Sequence, residues 1–431
     1  MFEPVVCAGI VFVLLLVGGV PISYVLGLSS LAYFIGVGEP SYFNALPRRM
    51  FTGINVFVLS AVPFFMLAAE VMNHTGISRR LIELAQLLVG RFRGGLAQVN
   101  VVASLLFAGL TGSAISDVAA LGTVLIPAMI DEGYDRSFSA AVTAASSIVG
   151  PIIPPSILIV IYGGLMGVSV GAMFAAALVP GLLIGLGGMV VVNIFARKRN
   201  YPMKPVKLTV KNVVLAIRHS FLALVTPVIV LGGILSGVFT PTEAAAVAAV
   251  YALAVAFFVF RNLRIQDVPK LFIKAVEGSA QLLFIMGTAN IFAWVLAMES
   301  VPQRIATQIL GVFHHPVSVL LAMCLTIIFI GTWMEITAGL IIVAPVFGPV
   351  AEAVGIHPIH LGIVVVVSFL VGVTTPPLGV CLYAAAGIAE IRFEEVVRDI
   401  MPFIIMFLIV IFIIVLFPEV ILTVPRVFGM I

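Results

Sequence analysis

Charged residues are scarce in this chain, and long apolar runs separate them. Of its 431 residues, 22 are Lys or Arg and 19 are Asp or Glu, while 62% are hydrophobic. A soluble domain carries about 25% charged residues, so the 10% found here cannot cover a surface in water. This excludes a soluble enzyme, a disordered chain and a nucleic-acid-binding protein. We therefore predict an all-α integral membrane protein that is surrounded mostly by lipid.

Lys and Arg are concentrated in three segments, and their distribution predicts how the chain is oriented. Residues 79–93, 197–218 and 261–274 hold 15 of the 22 basic residues. Cytoplasmic loops concentrate Lys and Arg, so we place all three segments inside the cell. Counting crossings from them puts the N-terminus in the periplasm and predicts about ten full crossings. The first apolar run has no basic region before it, so we expect it to remain as a membrane helix.

The run from about 97 to 130 does not fit a pair of ordinary crossings. Both of its ends must lie on the cytoplasmic side, because 137–170 and 171–196 already form a closed pair. Each of its two limbs is shorter than the roughly 20 residues that a transmembrane helix needs. We predict a re-entrant helical hairpin, whose non-helical tip must be buried in protein or line a cavity.

The second half of the chain repeats landmarks of the first half at one constant offset in residue number, without a gap. Gly150 matches Gly372, and the pair Pro154-Pro155 matches Pro376-Pro377. This offset predicts a second hairpin at about 316–352. The crossing count makes this hairpin enter from the outside, so the two repeats are expected to be inverted. Chance alignment of two glycine-rich apolar stretches is the alternative.

Each predicted hairpin is followed by a long apolar run that helix-breaking residues interrupt. In 137–170 the interruption is Gly150-Pro-Ile-Ile-Pro-Pro-Ser156, and in 358–388 it is Gly372-Val-Thr-Thr-Pro-Pro-Leu-Gly379. Proline removes an amide donor and clashes with the preceding turn, so both helices must break. Paired breaks in inverted repeats are a strong sequence indication of a transporter's binding site. A purely structural proline kink is the alternative.

These features divide the chain into five parts. Each repeat is expected to contain an arm, a hairpin, a broken helix and a closing helix. The parts are N-terminal membrane helices over 1–52, the first repeat over 53–196, basic cytoplasmic loops with two linking helices over 197–275, the second repeat over 276–417, and a C-terminal tail over 418–431.

The hairpin tips supply hydroxyl groups and carboxylates in short turns of small residues. The first tip contains Ser113 and Asp117, and the second contains Thr332 and Glu335. A carboxylate at the centre of a bilayer costs about 2.5 to 3.5 kcal/mol on insertion scales, so it is rare without a compensating role. Asp117 and Glu335 are therefore candidate functional residues. Each carboxylate is also a candidate N-cap for the outgoing limb, and the two roles are compatible.

Other polar features favour structural roles. Thr240-Pro241-Thr242-Glu243 predicts a capping box, which makes Glu243 a structural residue. The four histidines around the second hairpin are predicted to be surface residues, because no carboxylate or Cys completes a metal site: His314, His315, His357 and His360. A phosphate-binding Gly-x4-Gly-Lys-Ser/Thr loop is absent from the sequence. An intramembrane enzyme would need a general base near Ser113, and neither hairpin contains His. We do not expect an enzyme.

Several strings of this sequence resemble one family of membrane proteins. They are Gly-Ser-Ala-Ile-Ser-Asp from 112, Gly-Pro-Ile-Ile-Pro-Pro-Ser-Ile from 150, Thr-Pro-Thr-Glu-Ala from 240 and Val-Thr-Thr-Pro-Pro-Leu-Gly from 373. In this order they resemble the DctM-type large membrane subunit of tripartite ATP-independent periplasmic (TRAP) transporters, within the ion-transporter superfamily. The resemblance extends over most of the chain.

The resemblance implies a secondary transporter of the bacterial inner membrane that works by an elevator movement and uses Na+ as its coupling ion, without another cofactor. It implies a small organic anion as substrate, a carboxylate such as a C4-dicarboxylate or sialic acid. It also implies two partners, a small four-helix membrane subunit and a periplasmic substrate-binding protein, with membrane lipid around them and no nucleic acid. A stand-alone ion-coupled carboxylate symporter or antiporter is the alternative.

The same resemblance implies which residues form the sites. Sodium sites lie where each hairpin tip meets the paired helix break, which gives Gly112, Ser113 and Gly150 for one, and Thr332, Gly372, Thr375 and Pro376 for the other. The residues expected around the substrate cavity are Thr111, Ser116, Asp117, Pro154, Glu335 and Thr374. The second-tip acid is commonly aspartate in similar sequences, so Glu335 departs from the family pattern.

Overall fold

The computed structural model describes residues 3–108, 112–203 and 210–431, and helices are the only regular elements in them. The helices of the first half are α1 (Pro4–Val17), α2 (Ile22–Val37), α3 (Pro40–Ile54), α4 (Ala61–His74), α5 (Ile77–Val89), α6 (Gly95–Phe107), α7 (Ala114–Asp131), α8 (Arg136–Ser147), α9 (Ile157–Met166) and α10 (Val170–Lys198). Those of the second half are α11 (Val210–Leu235), α12 (Pro241–Ala254), α13 (Val268–Met298), α14 (Val301–Val312), α15 (Pro316–Gly331), α16 (Ile336–Ala353), α17 (Pro358–Gly372), α18 (Val380–Ala389), α19 (Phe393–Leu416) and α20 (Glu419–Val427).

The chain is a multi-pass membrane protein by the length and composition of its helices. Seven helices within the described ranges are long and apolar enough to cross a membrane, or eight if the bent pair α14 and α15 forms one span. The seven include α7 and α16, which are limbs of the predicted hairpins and were not among the ten expected crossings. Five of the ten expected crossings therefore pass the length criterion, because α1, α2 and both parts of each broken helix contain 16 residues or fewer and the apolar part of α11, Ser220–Leu235, is also short. The amphipathic α14 meets α15 at an angle of 119°, which separates an arm from the hairpin that follows it.

Element boundaries recur at the offset that relates Gly150 to Gly372. Both ends of α16 lie at this offset from the corresponding ends of α7, and the start of α17 lies at the same offset from the start of α8. Both breaks contain a cis peptide bond, at Pro154-Pro155 and Pro376-Pro377. The two hairpins are α6 with α7 and α15 with α16, and the two broken helices are α8 with α9 and α17 with α18.

Each hairpin packs against half of the broken helix from the other repeat. Helix α7 contacts α8 of its own repeat and α18 of the second one, while α16 contacts α17 and α9. Glycines permit these close crossings, as small residues commonly do between membrane helices. A Cβ on Gly122 of α7 would lie 3.2 Å from Cδ1 of Ile388, and one on Gly348 of α16 would lie 2.5 Å from Cε of Met166. The hairpins and broken helices therefore form one interlocked unit.

A second group of helices packs beside this unit. Helix α13 contacts α2, α3 and α4, and α12 packs on α4. The predicted capping box starts α12, because the hydroxyl of Thr240 accepts the amide of Glu243 and the carboxylate of Glu243 accepts the amide of Thr240 at 2.8 Å. The structural role expected for Glu243 is confirmed.

Candidate functional site

The second hairpin tip is held by hydrogen bonds and by a backbone contact with the second helix break. Glu335 is the N-cap of α16, and its carboxylate accepts the amide of Ala338 at 2.9 Å. Thr332 ends α15, and its hydroxyl donates to the carbonyl of Phe329 at 2.8 Å. A Cβ on Gly372 would lie 2.8 Å from Cα of Gly331, so these two glycines bring the hairpin and the break into direct backbone contact.

The first hairpin tip is capped in the same way, but by a hydroxyl group. Ser113 is the N-cap of α7, and its side chain accepts the amide of Ser116 at 3.5 Å. Gly112 adopts a φ of +64°, which a glycine reaches without strain, and it faces the side chain of Ile157. Ser113 and Glu335 are related by the repeat offset, so the two caps occupy matching positions. Thr111, expected to line the substrate cavity, lies outside the described residues.

Asp117 lies one turn into α7 and is fully buried. Its carboxylate faces Gly150 at the first helix break, where a Cβ would overlap Oδ2 of Asp117. Cys381 of α18 lies within the electrostatic reach of the same carboxylate. The repeat offset relates Asp117 to Gly339, so Asp117 and Glu335 are not equivalent. Glu335 caps α16, whereas Ser113 caps α7, so the candidate N-cap role of Asp117 is wrong. Asp117 instead lies where α7, α8 and α18 pack together.

A cavity of about 130 Å³ lies between the two hairpin tips and the two breaks. Residues at the starts of α7, α9, α16 and α18 line it, together with Pro151 of the first break and Val373 of the second. The lining residues are Gly112, Ser113, Ala114, Ile115, Pro151, Leu158, Glu335, Ile336, Thr337, Val373 and Val380. Four helix N-termini therefore meet around one space. Each N-terminus carries about half a positive charge from the helix dipole and amide groups beyond the one that a cap accepts in α7, α9 and α16, which favours an anion. The carboxylate of Glu335 in the same lining acts in the opposite direction.

The other predicted site residues lie around this cavity without lining it. Ser116 is exposed, and Pro154 is buried inside the first break. The hydroxyls of Thr374 and Thr375 both donate to the carbonyl of Val371, at 2.9 and 2.7 Å. Pro376 follows directly and forms the cis bond of the second break. Among the residues expected at the substrate cavity, Glu335 is the one that the described lining contains, together with Gly112 and Ser113 from the expected sodium sites.

Buried polar side chains attach the first hairpin to its broken helix. Asn100 of α6 donates to the hydroxyl of Thr143 at 2.6 Å and accepts from Ser146 at 3.0 Å. Ser104 donates to Ser146 at 2.9 Å. All four side chains are buried, and fully satisfied networks of this kind fix the relative position of two helices. Ser146 lies within the predicted first broken helix, but no sequence pattern predicted the network.

An ionic cluster that sequence reasoning missed joins α8, α10 and α19. Arg199, just after α10, forms two hydrogen bonds with the buried Asp399 and one with Asp135 at 2.7 Å. Tyr201 donates to Asp135 at 2.7 Å, and Ser137 donates to Asp399 at 2.7 Å. Hydrogen bonding to Asp399 raises the pKa of Arg199 and outweighs burial, which lowers it. Little in the sequence indicated this cluster, because Asp399 follows Glu394, Glu395 and Arg398 in the first turns of α19 and its partner is far away in the sequence.

Neither the histidines nor a hydrolase-like string in the sequence forms a further site among the described residues. Within the described ranges, no three His, Cys, Asp or Glu side chains come together as metal ligands. The prediction that His360 is a surface residue is wrong, because it is 4% exposed and its Nε2 forms a hydrogen bond with the carbonyl of Ile414 at 2.8 Å.

The string Gly167-Val-Ser-Val-Gly171 fits the Gly-x-Ser-x-Gly pattern of hydrolases. Ser169 lies between two helices and caps α10, so the strand that this motif requires is replaced by α9.

Replacing Asp117 with asparagine tests whether the buried carboxylate serves function or stability. We expect the transport activity implied by the sequence resemblance to fall at least about tenfold in initial rate, because an amide removes charge next to the first break. Since a neutral amide costs less to bury than a carboxylate, thermal stability should stay the same or rise. Asp131→Asn on the same helix is the matched control, because that residue is exposed. Reduced stability with a normal uptake rate per folded molecule would assign Asp117 a structural role instead.

Comparisons with known proteins agree on one family. The family model described as "Tripartite ATP-independent periplasmic transporter, DctM component" matches residues 9–420. The chain is similar to the sialic acid TRAP transporter large permease protein SiaM of Vibrio cholerae, with 38% identity over 96% of each chain. It is also similar to the C4-dicarboxylate TRAP transporter large permease protein DctM of Pseudomonas aeruginosa, with 39% identity over 94% of each chain.

A solved structure has an arrangement of helices similar to that of this chain. The crystal structure of the Alcanivorax borkumensis YdaH transporter aligns with a TM-score of 0.68, covering 97% of this chain and 98% of that one. The sequences are 16% identical, so this similarity concerns the fold alone.

Proposed function

Because the chain belongs to the DctM component family of TRAP transporters, we propose that it is the large permease subunit of a sodium-coupled transporter that imports a small organic anion. The observation that carries the proposal is the convergence of four helix N-termini on the cavity between the hairpin tips. Their amides and dipoles favour negative charge at that position, where the described lining contains no basic side chain.

The proposed substrate is a carboxylate, in the class of a C4-dicarboxylate or a sialic acid. Two relatives with these substrates in their names share 38% and 39% of their sequence with this chain. The cavity also contains the carboxylate of Glu335, which accepts the amide of Ala338. This negative charge disfavours an anion that approaches the second tip alone. A cation bound nearby would reduce the repulsion, which is one reason to couple anion entry to Na+.

We propose Na+ sites at the junctions between hairpin tips and breaks. The contact of Gly331 with Gly372 supports this at the second junction, since the C-terminal ends of α15 and α17 meet there. Such ends carry carbonyl groups without helical partners and a partial negative charge, which suits a cation. The interlocked hairpins and broken helices would move together as the transport domain of an elevator, against the group that contains α2, α3, α4 and α13.

The proposed assembly has two partners, as the word tripartite in the family description suggests. A periplasmic protein would deliver the substrate, and a small four-helix membrane subunit would pack on the permease. We place the assembly in the bacterial inner membrane with the basic segments in the cytoplasm and the N-terminus in the periplasm. Accessibility labelling of single cysteines introduced on either side of the basic segment 197–218 would measure this orientation.

Uptake into proteoliposomes tests the function. The permease is reconstituted with its partner subunit and binding protein, which is loaded with a labelled C4-dicarboxylate or sialic acid. We expect accumulation under an inward Na+ gradient and little under an equal K+ gradient, because Na+ is the proposed coupling ion. A membrane potential of 100 mV would add about 2.3 kcal/mol for each net positive charge that enters. Ser113→Ala and Thr375→Ala should lower the apparent Na+ affinity, with Thr375→Ser as the conservative control.

The same assay separates the alternatives. Uptake that is indifferent to Na+ would contradict the coupling ion, and an unchanged Na+ affinity in both alanine variants would contradict the tip assignments. Uptake of free substrate without a binding protein would instead support a stand-alone symporter or antiporter.

A further inference from the structure

A basic groove far from the hairpin tips runs between α6 and α10. It has a volume of about 740 Å³, and two arginines, Arg93 and Arg197, line it beside apolar residues. Leu186 and Val190 on its wall are 57% and 58% exposed. The groove thus combines positive charge with an exposed apolar wall.

The backbone holds the two arginines near each other. Gly94 adopts a φ of +74°, and a Cβ there would lie 2.7 Å from Cβ of Ala196. Only a residue without a side chain allows this approach of the α6 start to the last turns of α10. Arg93 and Arg197 each adjoin one of these two contacting residues. Within the described part of the chain neither arginine forms an ion pair, so their charge is available to a ligand.

Gln98 adds a buried hydrogen-bond acceptor to the same groove. The residue is 4% exposed, and its Nε2 donates to the carbonyl of Met189 at 3.0 Å, which fixes the orientation of the amide. Its Oε1 is buried and has no hydrogen-bond partner among the described residues. Buried polar atoms without partners are uncommon and destabilising. A donor group on a bound ligand would satisfy this oxygen.

A second apolar groove of about 480 Å³ lies on the other side of α10, against α19. Val190 lines both grooves, and Lys198 lines the second beside Ile405, Met406 and Ile409. The basic groove with its apolar wall and this second, apolar groove therefore flank one helix end that carries Arg197 and Lys198. This is the arrangement that a molecule with two acyl chains and one negative head requires.

We propose that the end of α10 binds an anionic phospholipid whose headgroup carries hydroxyl groups, as in phosphatidylglycerol. Its phosphate lies between Arg93 and Arg197, one acyl chain follows Leu186 and Val190, and the other enters the groove at Lys198. A headgroup hydroxyl donates to Oε1 of Gln98. Both basic segments are predicted to be cytoplasmic, where anionic lipids attract Lys and Arg. A lipid at this position bridges the first hairpin and its closing helix.

Native mass spectrometry of the delipidated full-length protein tests the proposal. Phosphatidylglycerol and phosphatidylcholine with identical acyl chains are titrated against the wild type and the double variant Arg93→Gln/Arg197→Gln. We expect the wild type to prefer phosphatidylglycerol and the variant to bind it about tenfold to thirtyfold more weakly. The variant Arg264→Gln/Lys270→Gln is the matched control, because it removes two exposed charges from another basic segment. Equal losses in both variants, or none in the first, would overturn the assignment.

Replacing Gln98 with leucine tests the headgroup contact separately. Phosphatidylmethanol is a phosphate diester with the same single negative charge as phosphatidylglycerol but no hydroxyl group, so the proposal predicts that Gln98→Leu lowers the preference for phosphatidylglycerol over phosphatidylmethanol. An unchanged preference overturns the role of Gln98. If the arginine variants keep lipid binding and instead lose a copurifying membrane protein, the groove is a protein interface and the lipid proposal fails.

Discussion

Replacing Arg199 with alanine is expected to lower the free energy of unfolding by about 3 kcal/mol, within the range of about 3–5 kcal/mol for breaking a buried ion pair. The lower end of this range applies because the side chain of Arg199 is 28% exposed, whereas that of Asp399 is 4% exposed. The variant leaves the carboxylate of Asp399 buried without its cation. Unfolding of the detergent-solubilised protein, followed by tryptophan fluorescence, measures the loss.

Arg392→Ala is the matched control for this prediction. Arg392 pairs with Glu395, but their side chains are 85% and 49% exposed, so this surface pair should contribute less than about 1 kcal/mol. The double variant Arg199→Met/Asp399→Leu should recover most of the loss, since it removes both buried charges. Equal stability of the Arg199 and Arg392 variants would show that the cluster does not hold α8, α10 and α19 together.

Replacing Gly372 with alanine is expected to reduce uptake at least about tenfold and to destabilise the protein by about 1–3 kcal/mol. The added Cβ would lie 2.8 Å from both Cα of Gly331 and the carbonyl oxygen of Ile328. These are backbone atoms, so no side-chain rotation can relieve the overlap. The second hairpin must move away from the break, which changes the junction where we propose a Na+ site.

Gly387→Ala provides the control in the adjoining α18, because a Cβ there would have nothing within 4 Å. Alanine favours a helix over glycine by about 1 kcal/mol, so this variant should keep or gain stability. Initial uptake rates at several Na+ concentrations distinguish the effects. A Gly372→Ala protein with normal Na+ affinity and a normal rate would contradict the importance of the junction.

Sequence reasoning predicted the elements that depend on local backbone chemistry. The double prolines located both helix breaks, and short turns of small residues located both tips. The predicted cap at Glu335 is confirmed, whereas at the first tip Ser113 is the N-cap in place of the candidate Asp117. These features are local, since proline and capping residues act within a few positions. The helix limits near the predicted hairpins at 97–130 and 316–352 are Gly95–Phe107 with Ala114–Asp131, and Pro316–Gly331 with Ile336–Ala353.

Contacts between distant segments were not predictable in the same way. Asp117 and Glu335 looked alike in the sequence because both are acids near a tip, yet Asp117 faces Gly150 and Glu335 caps α16. Asp399 and Arg199 pair across 200 residues, and no spacing rule links them. The partner of a buried charge depends on which helices pack together, and a periodic pattern does not contain that information.

The exchange of half-helices between the repeats affects how the chain is made. Helix α7 ends at Asp131, while its partner α18 begins only at Val380. At about 5–20 residues per second, a ribosome needs on the order of ten seconds or more to synthesise the stretch between them. During synthesis the first hairpin must remain beside lipid or an insertion factor, with Gly122 exposed. The two repeats thus have matching element boundaries but differ in the order of their synthesis. Only the second hairpin is made after its partner half-helix, α9, already exists.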